Sequence, residues 1–185
     1  MHFWKKKDNL VLSGLVALFF AAVIFWQEGG CVHAARPAKG DALLLKIPFI
    51  GADKKQHTLA EFKGKPLIIN FWATWCPVCV KKMATLNRFA KKFAEKGGKV
   101  ITISEDVGID MAQAYMTRNQ YDNLTAFVDE GGGLMAAVGA RGLPTTVFID
   151  ENGTVKGSLS AGLDWGSQEV HEMVNSYLGV LVSSN

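Results

Sequence analysis

From residue 42 onward, two patterns of hydrophobic residues alternate along the chain. Short apolar runs, typical of strands buried on both faces, occur at residues 42–50, 66–73, 99–104, 124–129 and 145–150. Apolar residues spaced three or four apart, as in amphipathic helices, occur at residues 77–96, 109–119, 132–140 and 167–181. Strands that alternate with helices predict an α/β fold, in which a central mixed sheet carries helices on both faces.

Turn residues mark the ends of these patterns. Residues 51–66 predict a turn-rich excursion that ends at Gly64-Lys65-Pro66. Gly97-Gly98 predicts the end of the first long helix. Asn152-Gly153 predicts a hairpin that joins the run at 145–150 to a final strand at 154–160. The sheet is therefore expected to end in an antiparallel pair.

A different pattern covers residues 1–30. An apolar run from Leu10 to Trp26 follows the three lysines Lys5 to Lys7. As a helix it would rise roughly 25 Å, which predicts a membrane anchor or a signal segment with the lysines in the cytoplasm. Cleavage after Ala34 and lipid attachment at Cys31 are the alternatives. All of them place the rest of the chain outside the cytoplasm.

The whole chain is predicted to contain one globular domain. Residues 1–30 form the signal or anchor segment, residues 31–40 a linker, and residues 41–185 the domain. Removing the three lysines and two acids of residues 1–30 from the chain's 20 basic and 17 acidic residues leaves a surplus of two positive charges. Such a balance disfavours nucleic acid as a partner.

Two cysteines, Cys76 and Cys79, lie three positions apart after a predicted buried strand. A structural zinc site usually needs four ligands, and His33, His57 and His171 lack the spacing that would complete one. A disulfide that closes so short a loop also stabilises a fold weakly. Neither a metal site nor a structural staple is therefore the favoured interpretation.

Redox chemistry fits the local pattern better. Pro77 is well suited to the first position of a helix, which places Cys76 at the helix N-terminus, where free N–H groups and the helix dipole favour a thiolate. Cys79 lies one turn further on the same face. Cys76 is therefore predicted to attack a disulfide and Cys79 to resolve the mixed disulfide.

The motif FWATWCPVC at residues 71–79 resembles the active site of the thioredoxin superfamily, and Gly142-Leu143-Pro144-Thr145 resembles its cis-proline segment. With the apolar N-terminal segment, the chain looks most like the TlpA, ResA and DsbE type of thiol:disulfide interchange proteins. The resemblance implies a thioredoxin-like fold and a cis peptide bond before Pro144. It also implies a location in the bacterial periplasm or on the outer face of the cytoplasmic membrane.

The resemblance also implies partners: disulfide-bonded substrate proteins and a membrane thiol protein that donates electrons. Several members of this type serve cytochrome c maturation, which is one expected role. The expected redox group is the cysteine pair itself, without a cofactor. Two positions depart from relatives. Asn70 replaces a buried aspartate of cytoplasmic thioredoxins, and Thr145 replaces a glutamate typical of the cytochrome-maturation branch.

Other residues near the motif are candidates for supporting roles. Trp75 is predicted to cover the sulfur atoms, whereas Trp72 is predicted to lie in the core. Glu105 and Asp106 follow a strand expected to end at the same sheet edge as Cys76, so one of them could accept the proton that Asn70 cannot. A solvated pair of loop acids is the more frequent outcome for such residues.

The predicted activity is the reduction of protein disulfides outside the cytoplasm. Pro77 and Val78 offer no side-chain donor to the Cys76 thiolate, so only the helix end stabilises it, which favours a reductase over a strong oxidant. The alternatives are a dithiol oxidase or isomerase of the same fold, and a binding or chaperone module without catalysis. A peroxidase is disfavoured, because peroxidatic cysteines occur in a different motif.

Overall fold

The computed structural model of the chain describes residues 41–182. The predicted anchor or signal segment and the predicted linker, which includes Cys31, lie outside the described residues. In residues 41–182 every helix is too short or too polar to cross a bilayer.

Seven strands and five α-helices make up the described part of the chain. The strands are β1 (Phe49–Gly51), β2 (Gln56–His57), β3 (Leu67–Trp72), β4 (Lys99–Ser104), β5 (Thr125–Val128), β6 (Thr145–Ile149) and β7 (Val155–Leu159). The helices are α1 (Asp41–Leu44), α2 (Pro77–Glu95), α3 (Ile109–Arg118), α4 (Gly133–Ala137) and α5 (Gln168–Leu178), with a 3-10 helix at Leu59–Phe62.

All seven strands belong to one mixed sheet in the order β2-β1-β5-β4-β3-β6-β7. Strands β3, β4 and β5 run parallel, and the remaining pairs are antiparallel. Strands β6 and β7 form the predicted hairpin. Because β3 is central and parallel to β4, the residues that follow these two strands emerge at the same edge of the sheet.

Strand β3 is buried on both faces and divides the core in two. Ile68 and Trp72 belong to a cluster formed with α2, α3 and α5, whereas Leu67, Ile69 and Phe71 belong to a cluster formed with α1, the 3-10 helix and α4. The division follows from the strand period of two, which points successive side chains to opposite faces. The predicted fold class, a mixed sheet with helices on both faces, is confirmed.

The long helix α2 begins and ends as the sequence predicts. Its buried side chains recur at helical spacing from Cys79 to Phe93. The chain leaves the helix through Gly97, whose φ of +84° is readily adopted only by glycine. The amide of Gly97 donates to the Ala94 carbonyl at 3.0 Å and closes the last turn.

The opening segment differs from the prediction. Residues 42–50 were predicted as one strand, but residues 41–44 form the short helix α1 and the strand begins only at Phe49. Pro48 lacks the N–H that a ladder needs, so pairing starts after it. Leu44 is buried while its neighbour Leu43 is half exposed. Such a change between adjacent residues occurs in a helical turn as well as in a strand.

The turn-rich excursion also contains more regular structure than its composition predicts. Strand β2 pairs with β1 across a tight turn, in which Lys54 adopts a φ of +60°. The 3-10 helix begins after Thr58, whose backbone N–H donates to the Glu61 carboxylate at 2.8 Å. Strand β2 pairs over only two residues, too few to leave a hydrophobic pattern in the sequence.

Candidate active site

Cys76 and Cys79 form a disulfide at the start of α2. Their Cα atoms lie 5.2 Å apart, and Cys76 is the N-cap residue of the helix. Pro77 occupies the first turn, where its missing N–H has no helical partner to lose. The backbone N–H of Cys79 donates to the Sγ atom of Cys76 at 3.2 Å. The helix N-terminus therefore offers Cys76 a donor that remains available when the disulfide opens.

The two sulfur-bearing residues line different cavities. Cys76 lies on an open groove of about 600 Å³, whose other walls are Trp75, Pro77, Val78, Glu105, Met135, Gly142 and Leu143. Cys79 instead borders a cavity of about 10 Å³ together with Asn70, Lys82, Pro144 and Trp165. Both cysteines are buried. A partner molecule can therefore approach Cys76 through the groove, while Cys79 faces the interior.

The two tryptophans of the motif differ in exposure. Trp75 is 65% exposed and forms one wall of the groove beside Cys76. Trp72 is fully buried in the core, where its ring lies 5.2 Å from that of Tyr115. The role of Trp75 as a cover for the sulfur atoms stays a prediction.

The segment before β6 faces the cysteine pair. The Leu143–Pro144 peptide bond is cis, as the resemblance implies. Leu143 lines the groove on the Cys76 side, and Pro144 lines the small cavity on the Cys79 side. Thr145, buried behind them, donates from Oγ1 to the Gly142 carbonyl at 2.7 Å. A hydroxyl at this position thus fixes the backbone of the loop.

Glu105 lies in the groove with Cys76. Its backbone N–H donates to the Trp72 carbonyl at 2.9 Å, which continues the ladder beyond β3 and β4. Within residues 41–182, its buried Oε1 atom has no hydrogen-bond partner. Burial, and secondarily the negative charge of Asp129, raise the pKa of Glu105 from its ordinary 4.5 to about 7. Glu105 therefore titrates near neutral pH at the wall of the groove.

Asp106 is not a solvated loop residue, and that expectation was wrong for it. Its side chain is buried and accepts hydrogen bonds from the Thr74 amide at 3.0 Å, the Thr74 hydroxyl at 2.8 Å and the Ser104 hydroxyl at 2.7 Å. These bonds tie the loop before Cys76 to the end of β4. We call these three hydrogen bonds the Asp106 clamp. Its only signals in the sequence were Ser104, two residues before Asp106, and Thr74 in the motif WATWC.

Asn70 and Glu105 line different cavities. Asn70 lines the small cavity beside Cys79 and donates from Nδ2 to the Thr146 hydroxyl at 3.2 Å. Glu105 belongs to the outer groove instead. Glu105 thus shares a cavity with Cys76, and its predicted role as a proton acceptor for Cys79 stays a prediction.

The remaining walls of the groove were not predicted as site residues. Val78 lies between the cysteines and Leu143 precedes the cis proline, so their adjacency to the two motifs was the available signal. Met135, on α4, carries none. In residues 41–182 there is no group of three histidine, cysteine or acidic side chains that could hold a metal ion.

Comparison with known proteins connects this site to a family. The model of the AhpC/TSA family matches residues 41–158. The chain is 37% identical over 102 residues to a thiol-disulfide oxidoreductase ResA from Bacillus thuringiensis, covering 55% of this chain and 58% of the relative. It is 36% identical over 102 residues to the thiol:disulfide interchange protein DsbE from Vibrio cholerae, covering 55% of this chain and 53% of the relative.

Solved structures share the fold. The exposed lipoprotein thioredoxin of Streptococcus pneumoniae superposes with a TM-score of 0.60 at 25% identity, covering 70% of this chain and 97% of that protein. The match to the ResA relative covers less of the other protein, because the aligned residues span only 58% of its length. The thioredoxin-like fold predicted from the sequence is confirmed.

We expect Asp106→Ala to destabilise the domain by about 2–4 kcal/mol. The substitution leaves the Thr74 amide and the Ser104 hydroxyl without their acceptor in a buried position, which costs about 1–3 kcal/mol for each such group. Urea unfolding followed by circular dichroism measures the change. Asp122→Ala, at an exposed position, serves as the control and should lie within about 0.5 kcal/mol of the wild type. Equal stability of the two variants would contradict the clamp.

We expect Glu105 to make stability pH-dependent. Because folding raises the pKa of Glu105 from 4.5 to about 7, the folded state binds the proton more tightly, and stability falls as pH rises through this window. Glu105→Gln removes this contribution. Between pH 4.5 and pH 8 the free energy of unfolding should therefore fall by about 1 kcal/mol less in the variant than in the wild type, a figure already reduced for solvent screening.

Urea unfolding at the two pH values measures this difference. Glu130→Gln, which changes an exposed acid nearby in the sequence, is the matched control and should show the pH dependence of the wild type. A Glu105→Gln variant whose stability follows the wild type at both pH values would show that the carboxyl group is solvated in the folded protein.

Proposed function

Because the chain belongs to the AhpC/TSA family and has the thioredoxin-like fold, we propose that it is a thiol:disulfide oxidoreductase whose reacting group is the Cys76–Cys79 pair. The observation that carries the proposal is the placement of the disulfide. It caps the N-terminus of α2, with Cys76 on an open groove and Cys79 on an internal cavity. The relatives named thiol-disulfide oxidoreductase and thiol:disulfide interchange protein support it.

We propose different roles for the two cysteines, and their different surroundings support the proposal. In the reduced protein, the thiolate of Cys76 accepts the N–H of Cys79 and gains from the helix dipole. It attacks one sulfur of a partner disulfide, the partner S–S bond breaks, and the leaving thiolate takes up a proton. Cys79 then loses its proton and attacks Cys76, which releases the second partner thiol. Two electrons pass from the pair to the partner.

Glu105 is proposed to serve the first of these steps. It shares the groove with Cys76, and its pKa of about 7 lets it hold a proton near neutral pH. A protonated Glu105 can donate to the leaving thiolate of the partner, since both lie in the groove. The rate of exchange against pH tests this role, because Glu105→Gln should lose the change in rate near pH 7 that the wild type shows.

We propose that the favoured direction is reduction of the partner. The hydrogen bond that Cys76 Sγ accepts comes from the backbone N–H of Cys79, and the side chains of Pro77 and Val78 carry no donors. Glu105, when ionised, adds a negative charge to the same groove and disfavours the thiolate. A reduced form that is weakly stabilised makes the pair a good electron donor.

The location and partners follow from the sequence and stay proposals. The lysines and the apolar run of residues 1–30 are consistent with a domain held outside the cytoplasm. The partners would be disulfide-bonded proteins, with a membrane thiol protein as the electron donor. Reduction of cysteines during cytochrome c maturation is one process of this kind, although Thr145 stands where that branch typically has a glutamate.

We expect Cys79→Ser to accumulate a mixed disulfide between Cys76 and a partner protein. Without the second thiol, the complex that Cys76 forms cannot be resolved from within the protein. Non-reducing electrophoresis followed by mass spectrometry identifies both the linkage and the partners. Cys76→Ser is the matched control and should trap far less, because Cys79 faces the internal cavity.

Equal trapping by the two variants would contradict the assigned roles. Function that is retained in Cys76→Ser would favour a binding or chaperone module instead. Alkylation of the reduced wild type gives an independent measure, since Cys76 should react much faster than Cys79.

We expect the reduction potential of the pair to lie nearer thioredoxin, at about −270 mV, than DsbA, at about −120 mV. Equilibration with thiol buffers of known potential, read by mass spectrometry after alkylation, gives the value. Glu105→Gln should raise the potential, because removal of the acid stabilises the Cys76 thiolate. A wild-type value near −120 mV would replace the reductase assignment by an oxidase and leave the site unchanged.

A further inference from the structure

The small cavity beside Cys79 contains one charged side chain. Within residues 41–182, Lys82 is the only ionisable residue other than Cys79 in the lining of this cavity of about 10 Å³. The polar Asn70 is neutral and already donates to the Thr146 hydroxyl. A cavity of this volume admits at most about one water molecule, so no group of a partner protein fits beside Cys79. Any charge that acts on Cys79 from this cavity therefore comes from Lys82.

Lys82 lies on the same face of α2 as Cys79. Residues three apart on a helix are neighbours on its surface, and helical side chains lean towards the N-terminus of their helix. The side chain of Lys82 is therefore directed back over the turn that carries Cys79. Lys82 is partly buried, whereas the adjacent Lys81 is exposed and does not line the cavity.

The loop after β7 confines the stem of the Lys82 side chain. A Cβ atom on Gly162 would lie 2.6 Å from Cγ1 of Val78 and 3.9 Å from Cγ of Lys82, so this loop packs directly on the first turns of α2. The loop is held in place at its start, where Oγ of Ser160 lies 2.8 Å from Oγ1 of Thr145. Lys82 is thus kept beside the cavity by contacts along its aliphatic part.

The positive charge of Lys82 is not neutralised by an acid. Within residues 41–182 its ammonium group takes part in no ion pair. The hydrogen bond that links Lys82 to the Thr85 hydroxyl uses only the Lys82 backbone carbonyl. Asp164, in the covering loop, accepts from the Gly166 amide, and Glu105 belongs to the outer groove. Neither acid lines the cavity, so the charge of Lys82 remains available to an anion within it.

A charge in this position acts on the second thiol rather than the first. A cation beside a thiol favours the thiolate, and burial without such a cation disfavours it. Cys76 is already served by the helix end and by the amide of Cys79. Cys79 is buried one turn further on, and Asn70 cannot accept its proton. The thiol that lacks stabilisation is therefore the one that shares a cavity with Lys82.

We propose that Lys82 promotes the resolving step by stabilising the Cys79 thiolate with its positive charge. The proposal rests on the proposed redox function. In this step the thiol of Cys79 gives its proton to water, and its sulfur attacks Sγ of Cys76. The Cys76–Cys79 bond forms, the bond between Cys76 and the partner breaks, and the partner leaves as a thiolate that takes up a proton. Lys82 acts through Cys79 as a positioning residue and exchanges neither protons nor electrons.

The first test is the titration of Cys79 in the full-length Cys76→Ser variant, in which the thiol of Cys76 is absent. The rate of alkylation by iodoacetamide, relative to its plateau at high pH, gives the thiolate fraction. Mass spectrometry of the peptides separates Cys79 from Cys31. Addition of Lys82→Gln should lower the thiolate fraction at pH 7.5 about threefold, a modest effect because Lys82 is only partly buried.

Two further variants separate charge from packing. Lys82→Arg keeps the charge and should restore most of the thiolate fraction. Lys81→Gln, the matched control, removes the same charge from the neighbouring exposed position and should leave the titration of Cys79 unchanged. The proposal is overturned by an unchanged titration in Lys82→Gln, by an equal change in Lys81→Gln, or by a Lys82→Arg variant that behaves as Lys82→Gln does.

The second test follows the resolving step with glutathione disulfide as the partner. In a single turnover of the reduced protein, attack by Cys76 releases the first glutathione, and attack by Cys79 releases the second. At pH 7.5, Lys82→Gln should slow the second release about threefold and leave the first unchanged. The defect should disappear at a pH where Cys79 is fully ionised, whereas a defect of equal size at every pH would overturn the role of the charge.

Failure of the redox function would give a different result. A wild-type protein that releases neither glutathione would contradict the proposed function, and the titration of Cys79 would still decide whether Lys82 stabilises its thiolate. A wild-type protein that releases both, with Lys82→Gln equal to it in both steps, would overturn the role of Lys82 and leave the redox function in place.

Discussion

The burial of β3 on both faces is the constraint on which the rest of the site depends. Its six residues are all buried, and the five apolar ones are divided between two cores, so a one-residue shift of its register would move each core's side chains to the wrong face. The chain must then leave the sheet at Ala73, and the Asp106 clamp fixes the next residues against β4. The cysteine pair is placed at the helix terminus by this sequence of contacts.

Because α2 begins just after Cys76, the two cysteines lie in different environments. Cys76 receives an amide donor and faces the groove, whereas Cys79 lies one turn inside, beside Asn70 and Pro144. The proposed division into an attacking and a resolving thiol thus rests on one turn of helix. Glu105 reinforces it by adding a titrating carboxyl group on the outer side only.

Much of this arrangement could be predicted from the sequence, and the exceptions have physical causes. The continuous apolar run of β3 and the period-3.6 burial in α2 are strong signals, and Cys76 and Pro77 mark the helix start. The opening helix α1 was missed because a short apolar run cannot distinguish a turn of helix from a strand. Asp106 was wrongly predicted to be solvated. Its hydrogen-bond partners, Thr74 and Ser104, come within reach of it only after the sheet has formed. Met135, which forms the groove wall on α4, had no local signal in the sequence.

The clamp on the loop before Cys76 has a consequence for any encounter with another molecule. Three hydrogen bonds to one buried carboxylate leave Thr74, and with it the backbone that carries Trp75, little freedom to adapt. A surface already ordered before contact loses little conformational entropy on binding, so most of the ordering cost falls on the other molecule. Complementary shape must then come from that molecule, which favours extended, unstructured segments over cysteines fixed in a finished fold.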